Sequence, residues 1–155
     1  NMRGKKAPKR DITPDPKFQR ADIAKLINYV MSDGKKTTAQ RVVYDAFEYI
    51  SKKTKLDPLE VYDNAIRNVA PSLEVKGKRI GGANYQVPIV VTGERKTTLA
   101  YRWILEAARG KKGAAMSKRL GDELIAASNS DGGAMKKRED VQRMAESNKA
   151  FAHFA

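Results

Sequence analysis

The sequence predicts a mainly α-helical fold, with about six helices in one domain and a protruding two-stranded β-ribbon between helices three and four. Apolar residues recur at helical spacing over most of the chain. The stretch from Leu73 to Val91, LEVKGKRIGGANYQVPIVV, instead alternates with the period of a strand. Glycine or proline residues stand between the periodic segments, as is common at helix ends and turns. These observations predict helices interrupted by a single hairpin.

The composition indicates a polyanionic partner. The chain has 155 residues, enough for one domain with its own core. Its 31 Lys and Arg residues outnumber its 18 Asp and Glu residues, which gives a net charge of +13. Charge repulsion of this size opposes folding and usually accompanies a polyanion; nucleic acid is the leading candidate and an anionic membrane surface the second. No apolar run approaches the ~18 residues of a membrane span, so we expect a cytoplasmic protein without a membrane partner.

Residues 1–17 are predicted to form a basic arm without regular structure. Pro8, Pro14 and Pro16 interrupt helices and strands, and almost nothing before Ile12 is apolar. In isolation such a segment is expected to be disordered, and it could become ordered along a phosphate backbone. A plain solvated tail is the alternative. The helical domain is expected to occupy residues 18–155.

Three helices are predicted before the ribbon. The first is expected from Phe18 to Met31, and Gly34 suits the left-handed residue that caps a helix end. The second is expected to open at Thr37, which together with Gln40 resembles a capping box. The third is expected to begin at Asp57, a capping residue followed by proline.

The ribbon is predicted to have an apolar base and a cationic tip. Four residues are expected to form the turn: Gly81, Gly82, Ala83 and Asn84. Three cationic residues lie towards this turn: Lys76, Lys78 and Arg79. Because an isolated ribbon is marginal in water, its base must pack on the helices while its tip stands clear. The tip could enter a groove of nucleic acid, or the lysines could simply guard the edge of an ordinary hairpin.

The fourth helix, expected from about Lys96 to Arg109, carries a row of arginines. Arg95, Arg102 and Arg109 recur every seven residues, so neighbours in the row lie about 10 Å apart along the helix. Such a row could follow successive phosphates, or it could be a solvated face.

Two further helices are predicted after a flexible basic loop, Gly110 to Gly113. The fifth carries Lys118 and Arg119 near its start, where cations oppose the helix dipole and a phosphate would relieve the misfit. The sixth is expected to begin around Ala134 and to continue towards Phe151. The tail FAHFA is expected to end in two exposed aromatic residues.

No motif of the chain indicates catalysis. The chain has no cysteine and a single histidine, His153, which excludes thiolate nucleophiles, zinc fingers and a histidine metal cluster. The stretch from Gly34 to Thr37 lacks the glycine that a phosphate-binding loop carries five residues earlier. We therefore expect neither an enzyme, nor a cofactor, nor a metal site.

Several motifs occur in the order found in a known family. After the basic arm come DGKKTTAQRVVYDA (residues 33–46), GGANYQVP (81–88), LAYRWILEAAR (99–109), KKREDV (136–141) and MAESNKAFAH (144–153). By these motifs the chain closely resembles the family of bacterial-type ribosomal protein seven of the small subunit. The similarity covers nearly the whole chain.

The resemblance implies a structural constituent of the small ribosomal subunit. It implies binding to the 3′ major domain of small-subunit ribosomal RNA, where the family nucleates assembly of the subunit head. It also implies a ribbon tip near the exit-site transfer RNA and the emerging messenger RNA. Ribosomal protein eleven is the expected protein neighbour, near the ribbon and the C-terminal region.

The residues that the resemblance implies fall into two groups. The expected contacts with ribosomal RNA are Arg3, Lys5, Lys6, Lys9, Arg10, Lys35, Lys36, Lys76, Lys78, Arg79, Arg95, Arg102, Arg109, Lys111, Lys112, Lys118 and Arg119. The expected neighbours of transfer and messenger RNA are Gly81, Gly82, Ala83, Asn84 and Tyr85.

Two other classes of protein were weighed against this one. A helix-turn-helix DNA-binding regulator would read DNA with the helices that flank Asp33-Gly34, although the long ribbon is poorly explained there. Equal or better binding to duplex DNA than to ribosomal RNA would favour it. An RNA-modifying enzyme would need a cofactor loop and a catalytic base that the sequence lacks, and turnover by the purified chain would favour that class.

Overall fold

The computed structural model describes residues 4–155, and this part of the chain folds into six α-helices, one hairpin and one 3₁₀ helix. In chain order these are α1 (Ala21–Val30), α2 (Lys36–Thr54), α3 (Pro58–Val69), β1 (Leu73–Ile80), β2 (Ala83–Val90), α4 (Glu94–Gly110), α5 (Met116–Ser128), α6 (Gly133–Ser147) and the 3₁₀ helix (Lys149–Phe154). The predicted fold class, with the ribbon between α3 and α4, is confirmed. No helix among the described residues is both long and apolar enough to cross a membrane.

The turn of the ribbon is shorter than predicted. β1 and β2 pair antiparallel, with Leu73 opposite Val90 and Ile80 opposite Ala83. Only Gly81 and Gly82 connect the strands, and their φ angles are +58° and +84°. Positive φ at both central residues gives a turn whose twist matches that of the strands, and glycine adopts it without strain. The predicted four-residue turn is therefore wrong, because Ala83 and its neighbour already pair within β2.

The ends of α1 and α2 also differ from the prediction. α1 covers only Ala21–Val30, and Gly34, although its φ is +72°, lies in the following turn and does not cap α1. α2 begins at Lys36 without a side-chain cap. The predicted capping box is wrong, because the Gln40 amide donates to the Tyr44 hydroxyl at 3.2 Å. By contrast, Asp57 caps α3 as predicted, accepting the Leu59 N–H at 3.0 Å.

Helix α5 lies at the centre of the fold and packs against α2, α3, α4 and α6. Leu120 and Leu124 are fully buried on it. At Gly121 the approach to α2 is so close that an added Cβ would lie 2.6 Å from Cδ1 of Tyr49 and 3.3 Å from the Ala46 carbonyl oxygen. A side chain at this position would have to displace Tyr49, so glycine permits the close packing of α5 on α2.

The entry of the chain into α1 is held by an arginine between two carboxylates. Arg20 donates to both carboxylate oxygens of Asp22 at 3.0 and 2.7 Å, and to both of Asp63, on α3, at 3.2 and 2.6 Å. Hydrogen bonds to Asp63 and then Asp22 raise the pKa of Arg20 above its ordinary value. Arg20 therefore links α1 to α3, and its guanidinium group is occupied by two carboxylates of the fold.

The C-terminal tail packs on the ribbon. α6 ends at Ser147 and does not reach Phe151 as predicted, and a 3₁₀ helix then turns back onto β2. The ring centroids of Phe151 and Phe154 lie 5.1 and 5.4 Å from that of Tyr85. The expectation of exposed aromatic residues is wrong, because these rings are half-buried and stabilise one another by aromatic packing.

Candidate nucleic-acid interface

The basic arm is exposed and touches the start of α4. Arg3 lies outside the described residues; Lys5, Lys6, Lys9 and Arg10 are all exposed. The Lys9 ammonium lies 2.9 Å from the Glu94 carboxylate, and its hydrogen bond and charge lower the pKa of Glu94. Both side chains are largely exposed, so this pair contributes little stability and Lys9 can exchange its carboxylate for a phosphate.

A buried aspartate fixes the point where the arm leaves the helical body. The Asp15 carboxylate accepts the backbone N–H groups of Lys17, Phe18 and Arg20 at 3.1, 2.7 and 3.0 Å. It also accepts the Tyr44 hydroxyl at 2.9 Å, and Asp15 is only 3% exposed. The sequence analysis missed this residue. The sequence feature that could have identified Asp15 is its position directly before a proline, which favours a turn closed by the aspartate side chain.

The arginine row of α4 is exposed, but two of its three members have partners in the fold. Arg95 donates to the Glu74 carboxylate of β1 at 3.0 and 3.5 Å. Arg109 donates to the carbonyl oxygens of Tyr29 and Val30 at the end of α1, each at 3.4 Å, where the helix dipole favours a cation. Arg102 is exposed between them. The row extends about 21 Å along the helix.

Two basic loops meet at the C-terminal end of α4. Lys35 and Lys36 are exposed in and next to the α1–α2 loop, and Lys35 lines the same small cleft as Met116 at the start of α5. In the α4–α5 loop Lys112 is exposed, as is Lys118 on α5. These four lysines are available to an external anion.

Lys111 and Arg119, in contrast, have partners within the fold, although the Lys111 side chain is still 44% exposed. The Arg119 guanidinium donates to the carbonyl oxygens of Arg109 and Lys111 at 3.3 and 2.7 Å. The Lys111 ammonium lies 3.2 Å from a carboxylate oxygen of Glu123, which is fully buried. Arg119, at the start of α5, therefore satisfies two carbonyl oxygens at the C-terminal end of α4, where a helix leaves its last carbonyl groups without intrahelical partners.

Some of the predicted RNA-contacting residues of the ribbon are exposed, and others are covered by the C-terminal tail. Lys76, Arg79 and the four residues from Gly81 to Asn84 are exposed. Lys78 is not free, because its ammonium donates to the Phe154 carbonyl oxygen at 2.6 Å. Tyr85 is half-buried beneath the C-terminal tail. The part of the ribbon tip that stands away from the rest of the fold is thus limited to Lys76, Arg79 and the turn.

Changing Lys76 and Arg79 together to alanine should weaken RNA binding and leave folding intact, because both side chains are exposed. The slope of log affinity against log salt should become shallower by about two, one for each lost phosphate contact. Lys78→Ala should instead release the tail and change the near-ultraviolet signal of Tyr85, because the Lys78 ammonium group binds the Phe154 carbonyl oxygen. Loss of helical circular dichroism in the double variant would contradict an exposed ribbon tip.

A rigid helical body that carries exposed cations on an arm, a ribbon and two loops defines a class: a basic scaffold for binding nucleic acid. Comparison with protein families narrows the class. The model of the family described as ribosomal protein S7p/S5e matches residues 2–149. The chain belongs to this family.

Curated relatives match over nearly their entire length. A protein of Thermotoga maritima named small ribosomal subunit protein uS7 is 59% identical over 153 residues, which cover 99% of this chain and 99% of that protein. Proteins of the same name from Thermosipho africanus and Polynucleobacter necessarius are 58% identical over 153 residues and 53% identical over 152 residues. These cover 99% and 98% of this chain, and 99% and 97% of the relatives.

Family membership establishes a structural role in the ribosome. The chain is an RNA-binding ribosomal protein of the small subunit that takes part in translation, and its family is one of structural proteins rather than enzymes. The recognition made from the motifs is confirmed, and so is the expected location on the ribosome.

Proposed function

We propose that the chain is a primary binder of the 3′ major domain of small-subunit ribosomal RNA, and that it nucleates assembly of the subunit head. One observation carries the proposal: cationic segments from separate parts of the sequence lie along one helix, α4. Lys9 of the arm contacts Glu94, and Arg95 contacts the ribbon base. Arg109 contacts the end of α1, and Arg119 closes the loop after α4.

The arrangement of cations along α4 meets the requirements for binding a folded RNA junction. Contacts with phosphates supply affinity, whereas the fixed distances between them supply register. RNA helices are recognised by shape, backbone and 2′-hydroxyl groups more than by base edges in the deep major groove. Cations held at fixed positions along α4 can therefore select one folded junction among RNAs of equal charge.

The proposed phosphate ligands of this scaffold are those predicted RNA contacts that are exposed and have no buried partner in the part of the chain that the structure describes. They are Lys5, Lys6, Lys9, Arg10, Lys35, Lys36, Lys76, Arg79, Arg102, Lys112 and Lys118. Arg95 and Arg109 are exposed too, and they can share a phosphate with their present partners because each guanidinium has five N–H groups. Lys78 must first leave the tail.

We place the ribbon tip near the exit-site transfer RNA and the messenger RNA, with ribosomal protein eleven near the ribbon and the C-terminal region. The length of the ribbon supports this, since eight residues per strand reach about 26 Å at ~3.3 Å per residue. The exposed glycine turn also permits close approach of another backbone.

A filter-binding titration tests the proposal. The full chain is titrated with the folded 3′ major domain of ribosomal RNA, with and without duplex DNA of equal charge as competitor. We expect tight RNA binding that survives the competitor. Equal affinity for the two would reduce the chain to a generic basic protein, and tighter binding to duplex DNA would favour the helix-turn-helix regulator.

A further inference from the structure

We infer that Lys111 positions the α4–α5 loop through the buried Glu123, and that Lys112 beside it makes the phosphate contact of this loop. The inference rests on the proposed function, in which this loop contacts ribosomal RNA. It assigns different roles to two adjacent lysines that the sequence does not distinguish. It also gives a positioning role to Glu123, which no sequence motif marks.

The carboxylate of Glu123 depends on Lys111. Glu123 lies on α5 and is 0% exposed. One of its oxygens, Oε1, accepts the backbone N–H of Ala134 in the first turn of α6, at 2.9 Å. The other, Oε2, accepts no hydrogen bond from the described residues, and Nζ of Lys111 lies 3.2 Å away. The positive end of α6 and this one ammonium group together offset a fully buried charge.

The cost of breaking this pair keeps Lys111 from phosphates. Within this pair Glu123 is 0% exposed, whereas the Lys111 side chain is 44% exposed. Withdrawing the ammonium group would leave the buried carboxylate without compensation, which destabilises a fold. A phosphate that captured Lys111 would impose this cost on Glu123. Lys112 is exposed as well, but it forms no ion pair among the described residues and carries no such penalty. A phosphate approaching the loop therefore gains more from Lys112 than from Lys111.

The backbone of the loop is held as well. Arg119 donates to the carbonyl oxygen of Lys111 at 2.7 Å and to that of Arg109 at 3.3 Å. The loop is thus tied to α5 at two points, by the Lys111 carbonyl to Arg119 and by the Lys111 side chain to Glu123. A loop that is fixed directly before its cation Lys112 loses less conformational entropy when it binds, which raises affinity without adding a contact.

The experiment compares Lys111→Met with Lys112→Met in the full chain. For each we measure the midpoint of urea unfolding and the slope of log affinity against log salt with the ribosomal RNA domain. Lys112→Met should keep the urea midpoint and lose about one unit of the salt slope, because one phosphate contact disappears. Lys111→Met should lower the urea midpoint and bind more weakly with an unchanged salt slope.

Two further variants keep the test decisive if Lys111→Met does not fold. Lys111→Arg retains the charge and should restore both the urea midpoint and the affinity. The double variant Lys111→Met with Glu123→Gln removes both charges and leaves an amide oxygen for the Ala134 N–H. It should recover most of the urea midpoint and keep the salt slope of the unmodified chain.

The outcomes separate this inference from the proposed function. A shallower salt slope for Lys111→Met or the double variant would make Lys111 a phosphate ligand and overturn the inference alone. An unchanged slope for Lys112→Met would also overturn it. A flat salt response of the unmodified chain would overturn the proposed function, and this inference with it.

Discussion

Raising the salt concentration from about 50 to about 200 mM should lower the affinity for ribosomal RNA by ~10³–10⁵-fold, if about 6–10 phosphates are contacted. Each bound phosphate releases condensed counterions, and this release becomes less favourable as bulk salt increases. The exposed cations of the arm, the two loops, the ribbon and α4 are numerous enough to supply contacts in this range. The measurement is filter binding at several salt concentrations, and a flat response would contradict binding through phosphates.

Variants of the arm test whether its cations contribute to the salt dependence of RNA affinity. Changing four arm residues to glutamine (Lys5, Lys6, Lys9 and Arg10) should make the slope of log affinity against log salt shallower by roughly 3. Lys52→Gln is the matched control, because Lys52 is an exposed cation of α2 that pairs with Glu48. It should leave the slope unchanged. An unchanged slope in the arm variant would show that the arm is a solvated tail.

Asp15→Ala should lower the free energy of unfolding by about 2–3 kcal/mol, because it removes a buried, charged hydrogen-bond acceptor. The backbone N–H groups of Lys17, Phe18 and Arg20 would lose their acceptor, and the Tyr44 hydroxyl would lose its own. Urea unfolding of the full chain measures the change. Asp11→Ala, at an exposed site of the arm, is the control and should leave stability unchanged.

The effect of Asp15→Ala should depend on pH. Burial raises the pKa of Asp15, but the hydrogen bonds from Phe18, Arg20, Tyr44 and Lys17 together lower it below its ordinary value. A lowered pKa means that the stabilisation is complete above the unfolded-state value of about 3.9 and is lost as the pH falls through the folded-state value. The gap in stability between the unmodified chain and Asp15→Ala should therefore narrow below about pH 4. A gap that widens in acid would contradict this account.

The fold class was predictable because its signals are local. The alternation from Leu73 to Val91 marks a pair of strands, and the helical periodicity of apolar residues marks most of the helices. Asp57 before proline marked the start of α3 correctly, since a capping residue acts within its own turn. The excess of positive charge indicated the class of partner for the same reason: composition does not depend on packing.

The element ends that were predicted wrongly depend on distant residues. α1 begins only at Ala21 because Asp15, held by Tyr44 of α2, organises the chain before it. Gln40 pairs with Tyr44 and does not cap α2. The tail stops being a helix where it can pack its aromatic rings on Tyr85. In each case a tertiary contact outweighs a weak local preference.

For the candidate site, the sequence by itself determined which segments carry the cations, and only the tertiary structure decided which cations are available. Lys111 and Lys112 are adjacent, chemically identical and both exposed, yet only Lys111 forms an ion pair with a buried carboxylate of α5 among the described residues. Lys78 differs from Lys76 in the same way, because the tail returns to the ribbon. Whether a lysine is available to an external anion depends on the group that packs next to it. That neighbour is set by how the helices pack, not by the spacing of residues along the chain.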